Sequence, residues 1–245
     1  MKNTIYIKGM KLDTVNNNKV FDIINNEILK NSQSNYISIT NTEAMYIGLN
    51  DISHRDYINN SYLSLCDGTG LVIAAKAHGL KLKKYHGPNF FEDTLREGAT
   101  YGWSHYFLGG KEGISEKLTT KFQKKYSKLR ILGSYSPPFR ELTLDEENQM
   151  IRNINKLKPN FVWVSLGLPK QEKWISKYIN QLDANFFVGV GAAFDFHADS
   201  VRRAPIFFQK IGMEWLYRTF FERRLVIRQI RGFKFMFKAI LNIKK

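Results

Sequence analysis

The chain has 245 residues, a formal charge of +15 at pH 7 and 43% hydrophobic side chains, which suits one α/β domain or a domain with an appendage and excludes a disordered polymer. Its single cysteine, Cys66, cannot form an internal disulfide; no basic-apolar-small leader opens the sequence and no uncharged apolar run reaches the roughly 18 residues of a spanning helix, so a cytoplasmic protein that does not cross a bilayer is expected. The charge admits a nucleic acid, an anionic membrane surface or a phosphorylated substrate as partner, and it is concentrated at one end, with nine Lys or Arg against two acids from Ile211 to Lys245.

In chain order the hydrophobic patterning predicts a strand at Ile5–Ile7, a helix at Val20–Leu29, strands at Tyr36–Thr40 and Tyr62–Cys66, and a helix at Leu71–His78. A strand at His105–Leu108, a helix at Ile114–Tyr126, a strand at Arg130–Leu132, a helix at Leu144–Leu157 and strands at Phe161–Leu166 and Phe186–Val190 follow. Alternation of this kind implies a Rossmann-like, mainly parallel sheet with helices on both faces. Such sheets bind ligands at the carboxyl ends of their strands. Sheet-like patterning stops between Arg202 and Gly212, which divides an α/β core of residues 1–210 from a basic amphipathic appendage of residues 211–245. The appendage mixes Trp, Phe, Leu and Ile with spaced Arg and Lys, and Gly232 interrupts it, so two amphipathic helices are expected there. They fit either a helix pair packed on the core with a solvated basic face or an interfacial device on an anionic membrane.

Several strand ends carry polar residues. In "SLCDGTG" Asp67 closes a buried strand ahead of Gly68 and stands either in a ligand crevice or as a cap for the next helix. In "ITNTEAM" Thr40 and Asn41 stand where a strand gives way to a helix, an ordinary N-cap position as well as a site position. In "FVWVSLGLPKQEKWI" a strand runs into Gly167, then Pro169 at an expected first helical turn, then Lys170 and Gln171, beside a helix N-terminus suited to an anion. "FFVGVGAAFDFHADSVRRAP" repeats the arrangement with Phe194 and Asp195, the latter open to a salt bridge with Arg202 or Arg203. The five histidines show no metal-ligand spacing, so no zinc site is expected. With no D-x-D and no complete dinucleotide or Walker fingerprint, the reading is metal-independent and cofactor-free. Cys66 without a neighbouring His reads as a small buried hydrophobe rather than a nucleophile.

In order, "DGTGLVIAAK", "FLGG", "WVSLGLPKQEKWI", "GVGAAFDFHA", "RRAP" and "GMEWLYRTFFERR" resemble the WecG/TagA/CpsF family of bacterial glycosyltransferases, from about Ile37 to Arg228. The resemblance implies an inverting transfer of a sugar, of N-acetylmannosamine type, from a UDP-sugar to an undecaprenyl-diphosphate-linked sugar in the synthesis of teichoic acid, capsule or exopolysaccharide. UDP-glucose and UDP-N-acetylmannosaminuronic acid stay open as donors. A non-catalytic nucleotide-sugar or anionic-lipid binding protein is the alternative class.

By the same resemblance Asp67 is the general base and Gln171 a second catalytic-centre residue holding the sugar or departing diphosphate. Thr40, Asn41, Gly68, Lys84, Gly109, Gly167, Lys170, Phe194 and Asp195 bind substrate, with Asp195 facing the nucleotide. Arg218, Arg223 and Arg224 serve the diphosphate or the membrane. The implied location is peripheral on the inner face of the plasma membrane, with no nucleic acid as partner and homo-oligomerisation left open. Departures from the family pattern fall in the sugar and acceptor region: Ile39 precedes Thr40 where a Thr-x-Asn is common, Lys84 stands for an arginine, and Asn89 for an acid.

Overall fold

A computed structural model describes residues 3–15, 17–30, 33–200, 205, 208, 217, 219 and 225–241. The first element is an antiparallel hairpin, β1 (Asn3–Ile7) and β2 (Met10–Thr14). Both residues of its two-residue turn, Lys8 and Gly9, have positive φ, as the twist of a tight hairpin requires. Only the first of these strands is visible in the hydrophobic pattern, because Lys11 and Asp13 are charged yet buried.

Beyond the hairpin the order is α1 (Asn17–Lys30), β3 (Asn35–Thr40), α2 (Thr42–Gly48), α3 (Ile52–Asn60), β4 (Leu63–Cys66), α4 (Thr69–Ala77), α5 (Gly87–Tyr101), β5 (Ser104–Gly109) and α6 (Ile114–Lys125). Then come β6 (Arg130–Tyr135), α7 (Leu144–Leu157), β7 (Phe161–Ser165), α8 (Lys170–Tyr178), β8 (Phe186–Gly189), α9 (Ala193–His197) and α10 (Val226–Leu241). The strands from β3 onward form one six-stranded sheet in the order β4-β3-β8-β7-β5-β6, with parallel registers from β3 to β6. The α/β expectation is met. The chain forms two compact units, one of Met1–Asn16, Ser38–His86 and Val201–Lys245, the other of Asn17–Ile37 and Gly87–Ser200.

In the second unit the core is aromatic. Phe91 lies edge-on to Trp163 at 4.9 Å and within 5.6 Å of the Phe107 and Phe194 rings, so α5, β5, β7 and α9 share one cluster. Each side chain so buried contributes about 1.5–3 kcal/mol by leaving water. The adjacent strand order creates a switch point: β5 is followed by a crossover to β6 on one side, and β7 by a crossover to β8 on the other. In open α/β sheets the carboxyl ends of two such strands are where ligands bind. The helix expected at Leu144–Leu157 is present as α7 and starts with a capping box, Thr143 Oγ1 accepting from the Glu146 N–H and Glu146 accepting from the Thr143 N–H.

In the first unit β2 joins the hairpin to β4 through a buried polar chain. Asp13, 1% exposed, accepts from the Thr4 hydroxyl at 2.6 Å and from the Ser64 N–H at 2.8 Å, with Lys11 at 3.7 Å. The Thr40 hydroxyl lies 2.9 Å from both Ser38 and Ser64. In the tail, α10 runs straight through Gly232, where the sequence led us to expect a break. The glycine serves close packing instead: a Cβ there would sit 2.6 Å from Thr42 Oγ1.

His105 is fully buried between Gly98 and the Phe161 and Trp163 rings, its Nδ1 accepting from the Trp163 indole at 3.2 Å. Burial pushes its pKa down to about 3. Above the ordinary histidine value both folded and unfolded chains hold it neutral, and between that value and about 3 only the unfolded chain takes up the proton. Stability therefore falls as pH drops through this window, by up to about 1.4 kcal/mol per unit from this group. Chemical denaturation of wild type and His105→Phe across the window is expected to show a shallower acid loss in the variant, and parallel curves would disprove this account.

Candidate functional site

The candidate residues fall into two clusters, one in each unit. In the first unit β3 and β4 end side by side, the Asp67 N–H donating to the Thr40 carbonyl at 2.7 Å. The helix after β4 is capped by Gly68, which has φ +119° and provides no side-chain bond, so Asp67 is not used as a helix cap. Its carboxylate is about one-fifth exposed, and His86 Nε2 stands 3.9 Å from Oδ1. Lys84 is exposed on the same incoming segment. Cys66, one residue earlier, is buried, and burial together with the Asp67 charge pushes its thiol up, which keeps it protonated and inert.

Asn41 follows the N-cap alternative. Its side-chain oxygen accepts from the Glu43 and Ala44 N–H groups at 3.0 Å each, fixing the start of α2 and leaving the amide NH2 as the group it presents. Thr40 is fully buried, and its hydroxyl is shared between Ser38 and Ser64, so it supports the strand end from beneath. Sequence reasoning missed Glu43, Arg228 and Arg231. Glu43 lies in the first turn of α2 and receives Arg228 Nε at 2.7 Å and Arg231 at 3.7 Å, both from α10. Burial raises the Glu43 pKa, only partly offset by the two guanidinium groups. Nothing in the local pattern "NTEAM" signals a partner almost 190 residues further along. The helix is seated further by Met236, which packs where a Gly70 side chain would be, and by the His78 ring at 2.7 Å from the Ala239 carbonyl.

In the second unit the switch-point strands β5 and β7 end against each other. Gly109 has φ +102°, and a Cβ there would meet the Ser165 carbonyl at 2.5 Å, so only glycine fits. The Gly110 N–H donates to the same carbonyl at 3.0 Å, while the Ser165 hydroxyl donates to the Gly191 carbonyl at 2.7 Å. Gln171 is buried: Oε1 accepts from the Gly191 N–H at 3.0 Å and Nε2 donates to Glu172 at 2.9 Å. Its amide thus clamps the turn between β8 and α9. On that short helix Phe194 is buried in the aromatic core, whereas Asp195 is half-buried, its carboxylate only 3.4 Å from the Ser200 hydroxyl. Gly167 has φ +76°, and Lys170 is exposed at the start of α8.

Arg218, Arg223 and Arg224 lie outside the described residues, as do Arg202 and Arg203. Among the described residues no three His, Cys, Asp or Glu side chains gather as metal ligands, and no helix is long and apolar enough to cross a membrane. A polar depression of about 540 Å³, lined by Ser34, Asn160 and Asn185, opens at the amino ends of β3, β7 and β8, the opposite end of those strands from the glycine turns.

The family model described as "Glycosyl transferase WecG/TagA/CpsF family" matches residues 5–245. The chain is similar to proteins named N-acetylglucosaminyldiphosphoundecaprenol N-acetyl-beta-D-mannosaminyltransferase from Staphylococcus aureus strains MRSA252, NCTC 8325 / PS 47 and COL. Identity is 26% in each case, over 98% of this chain and 94% of the relative.

The Glu43–Arg228 pair allows a test of how α10 is held. Removing Arg228 leaves a buried carboxylate with only the longer contact to Arg231, whereas neutralising the acid removes the bond and the desolvation cost together. Arg228→Ala is therefore expected to destabilise the seating of α10 by about 1–3 kcal/mol and Glu43→Gln by less. Hydrogen exchange of the α10 amides reads both, and a larger effect from Glu43→Gln would contradict this ordering.

Proposed function

The chain belongs to the glycosyl transferase WecG/TagA/CpsF family, and from that premise we propose that it transfers N-acetylmannosamine from a UDP-sugar to N-acetylglucosaminyl-diphosphoundecaprenol, with inversion and without a metal ion. That it is a glycosyltransferase follows from the family; the sugar and the acceptor are taken from the relatives' name. The observation that carries the assignment of chemistry is Asp67. It is a carboxylate at the end of a buried strand, fixed by its own N–H, not consumed by a helix cap and open to solvent on one side.

Its work is to accept the acceptor hydroxyl's proton as that oxygen attacks the anomeric carbon. The bond from that carbon to the diphosphate breaks, its electron pair leaves with UDP, and one displacement inverts the centre. Asn41 offers its amide NH2 and Lys84 its ammonium to the substrates at the same strand end. In the second unit the backbone around Gly109 and Gly167 offers close approach to a diphosphate, with Lys170 adding charge there, and in the first unit Gly68 leaves the backbone beside Asp67 open to substrate. Asp195 accepts hydrogen bonds from the nucleoside. Gln171 acts by holding the Gly191 turn that carries Asp195. Thr40 and Phe194 act from inside, as supports of the strand end and of α9. Arg218, Arg223 and Arg224 neutralise charge on the leaving diphosphate.

The appendage belongs to the same reading. On α10 Ile227, Phe237 and Leu241 are each more than 60% exposed, with Lys234 and Lys238 also exposed between them. Apolar side chains that enter the acyl boundary, flanked by cations near anionic headgroups, support docking on the inner face of the plasma membrane, where a lipid-linked acceptor resides.

Transfer is read as UDP release from UDP-N-acetylmannosamine with the lipid-linked acceptor. Asp67→Asn is expected to lose turnover by at least about 1000-fold while UDP affinity stays within a few-fold, because the base acts on the transition state; the wild-type rate is expected to survive EDTA. Near-normal transfer by the variant, or a loss in EDTA restored by magnesium, would refute the respective assignment. Sedimentation with phosphatidylglycerol vesicles tests the appendage: Ile227→Ser with Phe237→Ser is expected to weaken binding about 10-fold or more, and unchanged binding would exclude α10 as the docking element.

A further inference from the structure

Residues 80–86 between α4 and α5 carry no regular secondary structure, yet they are firmly placed. Leu82 and Tyr85 are buried, and the Tyr85 N–H donates to the Cys66 carbonyl at 2.8 Å. That bond ties the segment to the last residue of β4, one position before Asp67. The next side chain, His86, consequently faces the same strand end, with Nε2 3.9 Å from Asp67 Oδ1 and side-chain exposures of 22% and 21%. The separation is too long for a direct hydrogen bond. A bridging water or a small rotation of the ring closes it.

We infer that His86 is a positioning and proton-relay partner of Asp67, a role that rests on Asp67 being the base. When the acceptor hydroxyl gives its proton to the Asp67 carboxylate, the product is a neutral carboxylic acid that must be reset before the next turnover. Neutral His86, with the Nε2 lone pair toward Asp67, takes that proton directly or through the water, leaving a carboxylate beside an imidazolium. The imidazolium then gives a proton to solvent, and both groups regain their starting charge. His86 that is already protonated before the reaction has the opposite effect: its charge stabilises the carboxylate and weakens it as a base. The active form therefore pairs ionised Asp67 with neutral His86, and the rate rises with pH as the imidazole loses its proton.

Among the described residues, the charged and titratable neighbours on β4 and on the incoming segment fit this assignment. Cys66 of β4 is held as a thiol by burial and by the Asp67 charge. Lys84 on the incoming segment adds a cation that also acts on Cys66, and Tyr85 is buried with its backbone on β4. Histidine is the side chain of this group that ordinarily changes charge between about pH 5 and 8.

The test uses the full chain, with UDP-N-acetylmannosamine and a short-chain lipid-linked acceptor, for wild type, His86→Gln, His86→Ala and Asp67→Asn. Wild-type kcat/KM is expected to rise about 10-fold per pH unit on the acid side, and His86→Gln to lose that limb and about 10-fold in kcat at pH 8 with donor KM within two-fold. Added imidazole is expected to restore part of the His86→Ala rate. Without any assay of turnover, NMR titration of the His86 ring is expected to show a lower pKa in Asp67→Asn, because the carboxylate that favours the imidazolium is gone. An unchanged acid limb in His86→Gln, no rescue by imidazole, or a His86 titration indifferent to Asp67 overturns the inference. A fully active Asp67→Asn overturns the base itself, whereas an inactive Asp67→Asn with a wild-type-like His86→Gln removes only the relay.

Discussion

Three helices of the first unit meet on the side chain of Thr42, and the candidate site in that unit depends on how closely they meet. A Cβ on Gly232 of α10 would stand 2.6 Å from Thr42 Oγ1, and one on Gly70 of α4 would stand 2.8 Å from Thr42 Cγ2. Neither distance leaves room for a carbon atom, so two glycines set the separation of α2, α4 and α10. Asn41 and Gly68, which open α2 and α4, are held by the same packing that seats the tail. The buried face of α10, with Phe235 and Ala239 wholly inside, makes this helix part of the unit's core as well as an exposed surface. Burying one face and exposing six large hydrophobic side chains on the rest is a division of labour that neither a solvated surface helix nor a spanning helix shows.

Beneath the strand ends the support is polar. Asp13, Ser64, Thr40 and Ser38 form a buried chain in which each hydroxyl or carboxylate has a partner. Such chains are costly when a single member is missing, which gives them a single geometry and fixes the strand ends that carry Asp67 and Asn41. In the second unit the equivalent support is steric and amide-based: Gly109 against Ser165, and Gln171 across Gly189 and Gly191. The residues that face outward there, Asp195 and Lys170, are few, and the residues that hold them are many. This is the pattern expected of a site whose precision comes from the groups behind it.

Much of the architecture was determined by the sequence alone. Short apolar runs separated by helix-length segments specified a parallel α/β sheet, and the runs at Tyr36–Thr40 and Phe161–Leu166 fall on β3 and β7 because buried strands are apolar on both faces. The capping box of α7 was equally local, since all its partners lie within three residues. The residue order around "DGTG" and "PKQE" was specific enough to identify the family, because those short stretches combine strand ends, turns and polar groups in one order.

Other features were decided only by the tertiary structure, since each depends on a partner distant in sequence. The strand β2 was hidden by Lys11 and Asp13, whose burial is tolerated only because Ser61, Ser64 and Thr4 meet them. Gly232 reads as a helix breaker by propensity, yet it is a packing contact, because Thr42 fills the space its side chain would need. Thr40, Phe194 and Gln171 were implied as site residues by the family resemblance, and only the fold shows that hydrogen bonds or ring packing hold each of these side chains from behind. Glu43 acquires its meaning from an ion pair with Arg228, and Asp67 from the nearby His86 ring, and sequence spacing encodes neither meeting. Local chemistry fixes which elements form; the three-dimensional meeting of distant side chains decides which polar groups are left to act.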